Sequence, residues 1–189
     1  ILTSDHGEFF GEHGLMYHGR YLHTEVTHIP MILAGPNIPA GERRAELASV
    51  VDIFATICGL VGLEAPPTAG IDLFGSETRN AVYAEHSEFD DAELPAAAVV
   101  PSEVRAATEV GRKSILTAEH RFEITSMGDE ALYTVPDGEL IEYPDNQLVK
   151  SLREQLLDTL GTDYSGDSGS DREFAPGVER NLHDLGYIE

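Results

Sequence analysis

The chain is poor in cysteine and in lysine, and it has no long apolar run. Cys58 is the only cysteine among 189 residues, so no disulfide can form within the chain and cysteine usage leaves the compartment undefined. Lys113 and Lys150 are the only lysines, and 12 basic residues stand against 34 acidic ones, a formal charge of −22. That balance excludes a nucleic-acid partner, because phosphate contacts are made by Lys and Arg. No stretch approaches the about 18 apolar residues of a membrane span, and no signal peptide is visible, so no membrane partner is expected. No internal repeat is present. The first residue is Ile1 rather than methionine and stands in what reads as mid-strand, so the chain is expected to be a fragment.

An excess of acid with almost no lysine is the pattern of a protein working in concentrated salt, where a screening length of about 3 Å at 1 M relieves self-repulsion. The location stays open, with the cytoplasm of a high-salt organism slightly favoured, and an acidic protein with no such adaptation is the plainer alternative. With 41% hydrophobic residues the chain can bury a core of one or two domains.

The remaining chemistry is concentrated near the amino end. Ile1-Leu-Thr-Ser-Asp-His-Gly-Glu8 reads as a buried strand running out into a loop, and in open α/β sheets ligands bind at such strand ends. There Asp5 and His6 can converge on one ion, a carboxylate oxygen beside an imidazole nitrogen, while Gly7 lets the backbone leave sharply. His13, His18 and His23 follow before Glu25, and histidine is both a common metal ligand and a proton carrier near neutral pH.

Ser4-Asp5-His6-Gly7-Glu8, Gly11-Glu12-His13-Gly14, His18-Gly19 with Glu25 after it, and Ile29-Pro30 together resemble the C-terminal half of a sulfatase, a branch of the alkaline phosphatase superfamily. Later pieces follow in the order of that family: Val51-Asp52-Ile53-Phe54-Ala55-Thr56, Gly70-Ile-Asp-Leu73, Ala131-Leu132-Tyr133 and Leu185-Gly-Tyr-Ile-Glu189.

The resemblance implies a fold, the C-terminal part of an alkaline-phosphatase-like α/β sandwich with a small antiparallel sheet and helix. It also implies a reaction, hydrolysis of a small-molecule sulfate ester with one divalent metal ion. Asp5 and His6 match metal-ligand positions, and His18 matches the residue that contacts the sulfate group near its leaving oxygen. Calcium is the ion the family implies; the imidazole of His6 shifts preference toward manganese or zinc. The family's nucleophile is a formylglycine made from the Cys or Ser of a Cys-x-Pro-x-Arg motif. Cys58 stands in Ile-Cys-Gly-Leu and does not match, so the formylglycine and the other metal carboxylates are expected upstream, and the chain alone is expected not to turn over substrate.

Two rivals stand beside this reading. Asp-His in place of Asp-Asn also occurs in the phosphonate monoester hydrolases, which makes phosphorus esters the competing substrate class. A non-catalytic acidic module that holds an ion only for structure is the other. For the remaining residues, His13 is expected as a rim residue or a loop hydrogen-bonder, and His86 as part of a substrate rim at a strand end. His23 and His28 are expected to be structural, and Glu8 to support His6 or Arg20.

Down the chain, a short helix is expected between Tyr21 and Thr27, then a strand from Ile29 to Ala34 buried on both faces of a mostly parallel sheet. From Ser49 to Leu63 the residues Val50, Ile53, Phe54, Ile57 and Val61 recur at helical spacing, with Ser49 as cap, and Cys58 is expected in core packing. Ala81 to Ala84 reads as a strand, and Phe89 to Ser102 as an exposed insertion. Residues 114–117, 121–125 and 131–135 read as an antiparallel meander. Leu148, Leu152, Leu156 and Leu160 give a helix capped by Asp145 and ended by Gly161, its leucine stripe facing the meander. Residues 162–171 read as a linker, and Val178, Leu182 and Leu185 as a short closing helix. The expected segments are 1–111 for the α/β core, 112–161 for the strands with their helix, and 162–189 for the acidic linker and closing helix.

Overall fold

The computed structural model describes residues 1–18, 21–88 and 110–165. The expected insertion at 89–102, the closing helix and most of the 162–171 linker lie outside the described residues.

Four strands make the main sheet: β5 (Val82–His86), β6 (Arg112–Leu116), β7 (His120–Thr125) and β8 (Glu130–Thr134), all antiparallel and ordered β5-β6-β7-β8. The meander is as the alternating pattern suggests, but it has a fourth strand. β5, from the segment 1–111, pairs along β6 with Tyr83 opposite Ile115 and His86 opposite Arg112.

Helix α3 (Asn146–Leu160) lies across this sheet. The Asp145 side chain accepts the N–H groups of Gln147 and Leu148, which satisfies two of the donors a helix start leaves open. Leu152 and Leu156 are buried against Ile115, Phe122, Leu132 and Ala81, with Leu148 and Leu160 at the margin. Each fully buried leucine contributes about 1.5–3 kcal/mol relative to exposure, so the stripe is what holds the helix down. At the other end, Lys113 reaches up from β6 and donates to the carbonyls of Leu160 and Gly161 at 2.7 and 3.1 Å, while its stem stays 1% exposed. One of the two lysines thus caps a helix C-terminus, where a cation is favoured.

Ahead of the sheet lie shorter elements. β1 (Leu2–Thr3) pairs antiparallel with β4 (Met31–Ile32), and β2 (Phe9–Phe10) with β3 (Met16–Tyr17) around a 3-10 turn at Glu12–Gly14. Helix α1 (Thr24–Thr27) is a single turn, and α2 (Asp52–Leu60) is longer. The strand expected over Ile29–Ala34 is corrected here: two residues pair, the ladder is antiparallel, and Ile32 is 58% exposed. Every pair of strands among the described residues is antiparallel, so no parallel sheet buries this run from both sides.

The face of α2 is a second correction. Asp52, Ala55, Thr56 and Cys58 are its buried residues, whereas Phe54 is 52% exposed and Ile57 and Val61 also face outward. The polar face is inward because partners meet it there. Thr56 Oγ1 accepts the N–H of Leu73, and Asp52 accepts those of Ser49 and Ile71 and is clamped by Arg79. Ser49 therefore does not cap the helix with its hydroxyl; its backbone N–H is instead bound by Asp52. Cys58 is buried, in agreement with a packing role.

Candidate functional site

The loop after β1 carries the first group of candidate residues. Asp5 Oδ1 accepts the backbone N–H of His6 at 3.0 Å, which holds the Asp5 carboxyl below its usual range, and the His6 ring adds to that. His6 Nδ1 lies 2.8 Å from the carbonyl of Gly7. A carbonyl only accepts, so Nδ1 carries a proton, and in the neutral ring Nε2 keeps its lone pair. That nitrogen is 3.7 Å from Asp5 Oδ2. The Asp5 side chain is 85% exposed, so its free oxygen is open to an ion from solvent.

His18 joins this group from the end of the β2–β3 hairpin. Its ring stacks on His6 with centroids 3.9 Å apart, and its Nδ1 is 3.1 Å from Glu8 Oε2. Since the carboxylate is the acceptor, Nδ1 donates and the Nε2 of His18 is free. Glu8 therefore supports His18, not His6 as the sequence suggested, and Arg20, its other expected partner, lies outside the described residues.

A second group forms beside the first. His13 sits in the 3-10 turn with a left-handed backbone, φ 56°, and its Nε2 is 3.1 Å from Glu25 Oε1 on α1. The rings of His13 and His23 stack at 4.3 Å, and both meet Phe9 edge-on. Burial pushes the His23 imidazole below its usual pKa, and the nearby Arg121 and His13 add to this, so the ring is uncharged at neutral pH. These groups line an open cleft of about 360 Å³ whose far wall is Arg121 and Asp137. His13 is thus both hydrogen-bonded within the loop and on the rim of a cleft. His86 is half-buried at the end of β5, in register with Arg112 on the main sheet.

The two groups are tied through the backbone. Gly7 N donates to the Val26 carbonyl at 2.7 Å, and a Cβ at Gly7 would run into the carbonyl oxygen of Glu25. Only glycine lets the loop after His6 lie this close to α1. Sequence reading set His23 aside as structural and gave Glu25 no role. The only signal they carried was their place within twenty residues of Asp5, since the contact that unites them with His13 is tertiary.

The sulfatase family model matches residues 1–63. That match covers about a third of the chain. The chain is 40% identical over 78 residues to the low-salt glycan biosynthesis sulfotransferase Agl7 of Haloferax volcanii, covering 39% of this chain and 19% of that protein. It is 35% identical over 66 residues to arylsulfatase K of Homo sapiens, covering 35% of this chain and 12% of that one. The matched stretch therefore spans less than a fifth of either relative. A crystal structure of a candidate sulfatase from Bacteroides thetaiotaomicron superposes with a TM-score of 0.66 at 18% identity, over 93% of this chain and 38% of that one. The fold is that of a sulfatase, mixed α/β with small antiparallel sheets. The residues of the first group all fall inside the matched sulfatase stretch.

Proposed function

We propose that this chain carries the metal and leaving-group side of a sulfuric ester hydrolase, with Asp5 and His6 as ligands of one divalent ion and His18 as the residue that meets the sulfate ester. The observation that supports this most directly is the pairing of two unengaged donors, His6 Nε2 and Asp5 Oδ2, 3.7 Å apart and open to solvent. One oxygen and one imidazole nitrogen suit manganese or zinc, and calcium when further carboxylates join them. Such an ion would withdraw charge from the oxygens of the transferred group. His18, stacked on His6 and held through Nδ1, turns Nε2 toward the ester, where it hydrogen-bonds an ester oxygen or gives a proton to a departing alcohol only when the ring carries both protons. Glu8 holds the ring for that task through Nδ1.

The nucleophile lies outside these 189 residues in this reading, because neither Cys-x-Pro-x-Arg nor Ser-x-Pro-x-Arg occurs in them. The test is to titrate the purified chain with Mn²⁺, Ca²⁺ and Zn²⁺ and to assay it on 4-nitrophenyl sulfate. Metal uptake that Asp5→Ala and His6→Gln each weaken, with no nitrophenol released, is the expected result. Uptake unchanged by both variants would remove the metal assignment, and turnover abolished by Asp5→Ala would show that the nucleophile is within the chain. In the full-length protein that this reading implies, sulfate esters are expected to react faster than the matching phosphate esters; the reverse would favour a phosphorus ester hydrolase.

A second reading comes from the relative Agl7, whose name describes a sulfotransferase in glycan biosynthesis. The same site would serve sulfuryl transfer with a sugar hydroxyl in place of water. Free sulfate as the only product argues for hydrolysis, and a sulfated sugar for transfer.

A further inference from the structure

His13, His23 and Glu25 present three donor atoms that all lie within 4.8 Å of one another at the edge of an open cleft. We propose that they form a second divalent-metal site, distinct from the Asp5–His6 pair, that takes a borderline-soft ion such as zinc.

Two imidazoles and one carboxylate are a donor set that zinc binds with a fourth position left to water or a ligand. Bonds of about 2.0–2.1 Å to a tetrahedral ion put donors about 3.3 Å apart. His13 Nε2 and Glu25 Oε1 already stand at 3.1 Å. The rings of His13 and His23 stack only 16° from parallel with centroids 4.3 Å apart, and all three donor atoms already lie within 4.8 Å, so the remaining gap is small. His13 is exposed, and His23 and Glu25 are half-buried.

Local charge permits a cation there. Arg121 is the positive group facing the cleft, and it is already balanced by Glu123 Oε2 at 3.1 Å and laid over the Tyr133 ring. Asp137 faces the cleft from beyond β8 and adds negative charge. The open side of the cleft leaves room for the fourth ligand. Calcium is disfavoured, because two of the three donors are nitrogen.

The site is tested in the full chain carrying Asp5→Asn and His6→Gln together, so that uptake at the other pair cannot be mistaken for it. Zinc is titrated by calorimetry, and cobalt by its visible absorption, which is intense only when the ion is tetrahedral. One equivalent of either ion, with a tetrahedral cobalt spectrum, is expected in that background. Adding His13→Gln, on an exposed side chain, or Glu25→Gln, on a half-buried one, is expected to weaken zinc binding about 100-fold or more, beyond the 10–100-fold that loss of an outer support costs. His23→Gln is expected to do the same, with circular dichroism confirming that the chain still folds. No uptake in the double-variant background, or uptake that Glu25→Gln and His13→Gln leave unchanged, overturns the proposal. Either result leaves the Asp5–His6 assignment standing, because that pair has been removed from the measurement.

Discussion

Arg79 holds the Asp52 carboxylate from the side, its Nε 2.7 Å from Oδ2 while Nη2 donates to Oδ1, and Asp52 itself is 0% exposed. Ser49 and Ile71 add backbone N–H donors at 2.8 and 2.9 Å, so every acceptor direction of the buried carboxylate is used. This one residue fastens the start of α2 to the loop before β5.

Asp52→Asn leaves Arg79 facing a neutral partner in a place with little water. Breaking such a pair costs about 3–5 kcal/mol, so a fall in Tm of about 6–20 °C is expected in thermal melts at pH 7. Burial by itself would raise the Asp52 carboxyl, but Arg79 and the two N–H donors outweigh it, and the carboxyl titrates below its usual range. A carboxyl depressed on folding adds stability above about pH 4 that is lost as pH falls through its folded value. Acid melts should therefore steepen for the natural chain below pH 4 and much less for Asp52→Asn. Parallel acid curves would show that the clamp contributes no linkage.

Gly7→Ala places a methyl group against the Glu25 carbonyl oxygen. The backbone must shift, at about 1–3 kcal/mol, and Asp5 and His6 shift with it. Weaker metal uptake together with a lower Tm is expected. An alanine variant that binds metal as well as the natural chain would mean that the loop relaxes without moving His6.

Lys113→Met removes the cation that holds the carbonyls of Leu160 and Gly161, while keeping most of the stem volume. Those carbonyls lose their partner at the end of α3, and a loss of about 1–3 kcal/mol is expected in denaturant unfolding. Lys150→Met on the exposed side of the same helix serves as the comparison and should stay within about 0.5 kcal/mol.

With 34 acids and 12 bases, self-repulsion opposes the folded state until salt screens it. Raising KCl from 0.1 to 2 M shortens the screening length from about 10 Å to below 3 Å. A rise in Tm of about 2–4 °C, equal to about 1 kcal/mol, is expected across that range. A flat or falling Tm would leave the acid excess without a folding role at high salt.

The parts of this molecule legible from sequence are those where neighbours in the chain are neighbours in space. Helix α3 is one, since Asp145 and the four leucines lie within sixteen residues and each sees the same face. Asp5 beside His6 is another. Helix α2 was legible as a helix but not in its orientation, because what turns Asp52 and Thr56 inward is Arg79 and the 71–73 backbone, 17 to 27 residues away. Its apolar residues pointed the other way and misled the periodicity. The run Ile29–Ala34 failed for a similar reason, since apolar composition alone does not state which strand pairs with it. His13, His23 and Glu25 could not be grouped from spacing, because their meeting depends on a hairpin and a single helical turn folding onto each other.

The hydrogen bond from Gly7 to Val26, with no space left for a side chain between them, has a mechanical meaning. The turn that bears His6 and the turn that bears Glu25 are riveted at one point, so neither swings without dragging the other along. The two clusters of imidazoles are thereby presented to solvent at a spacing preset by a single peptide contact.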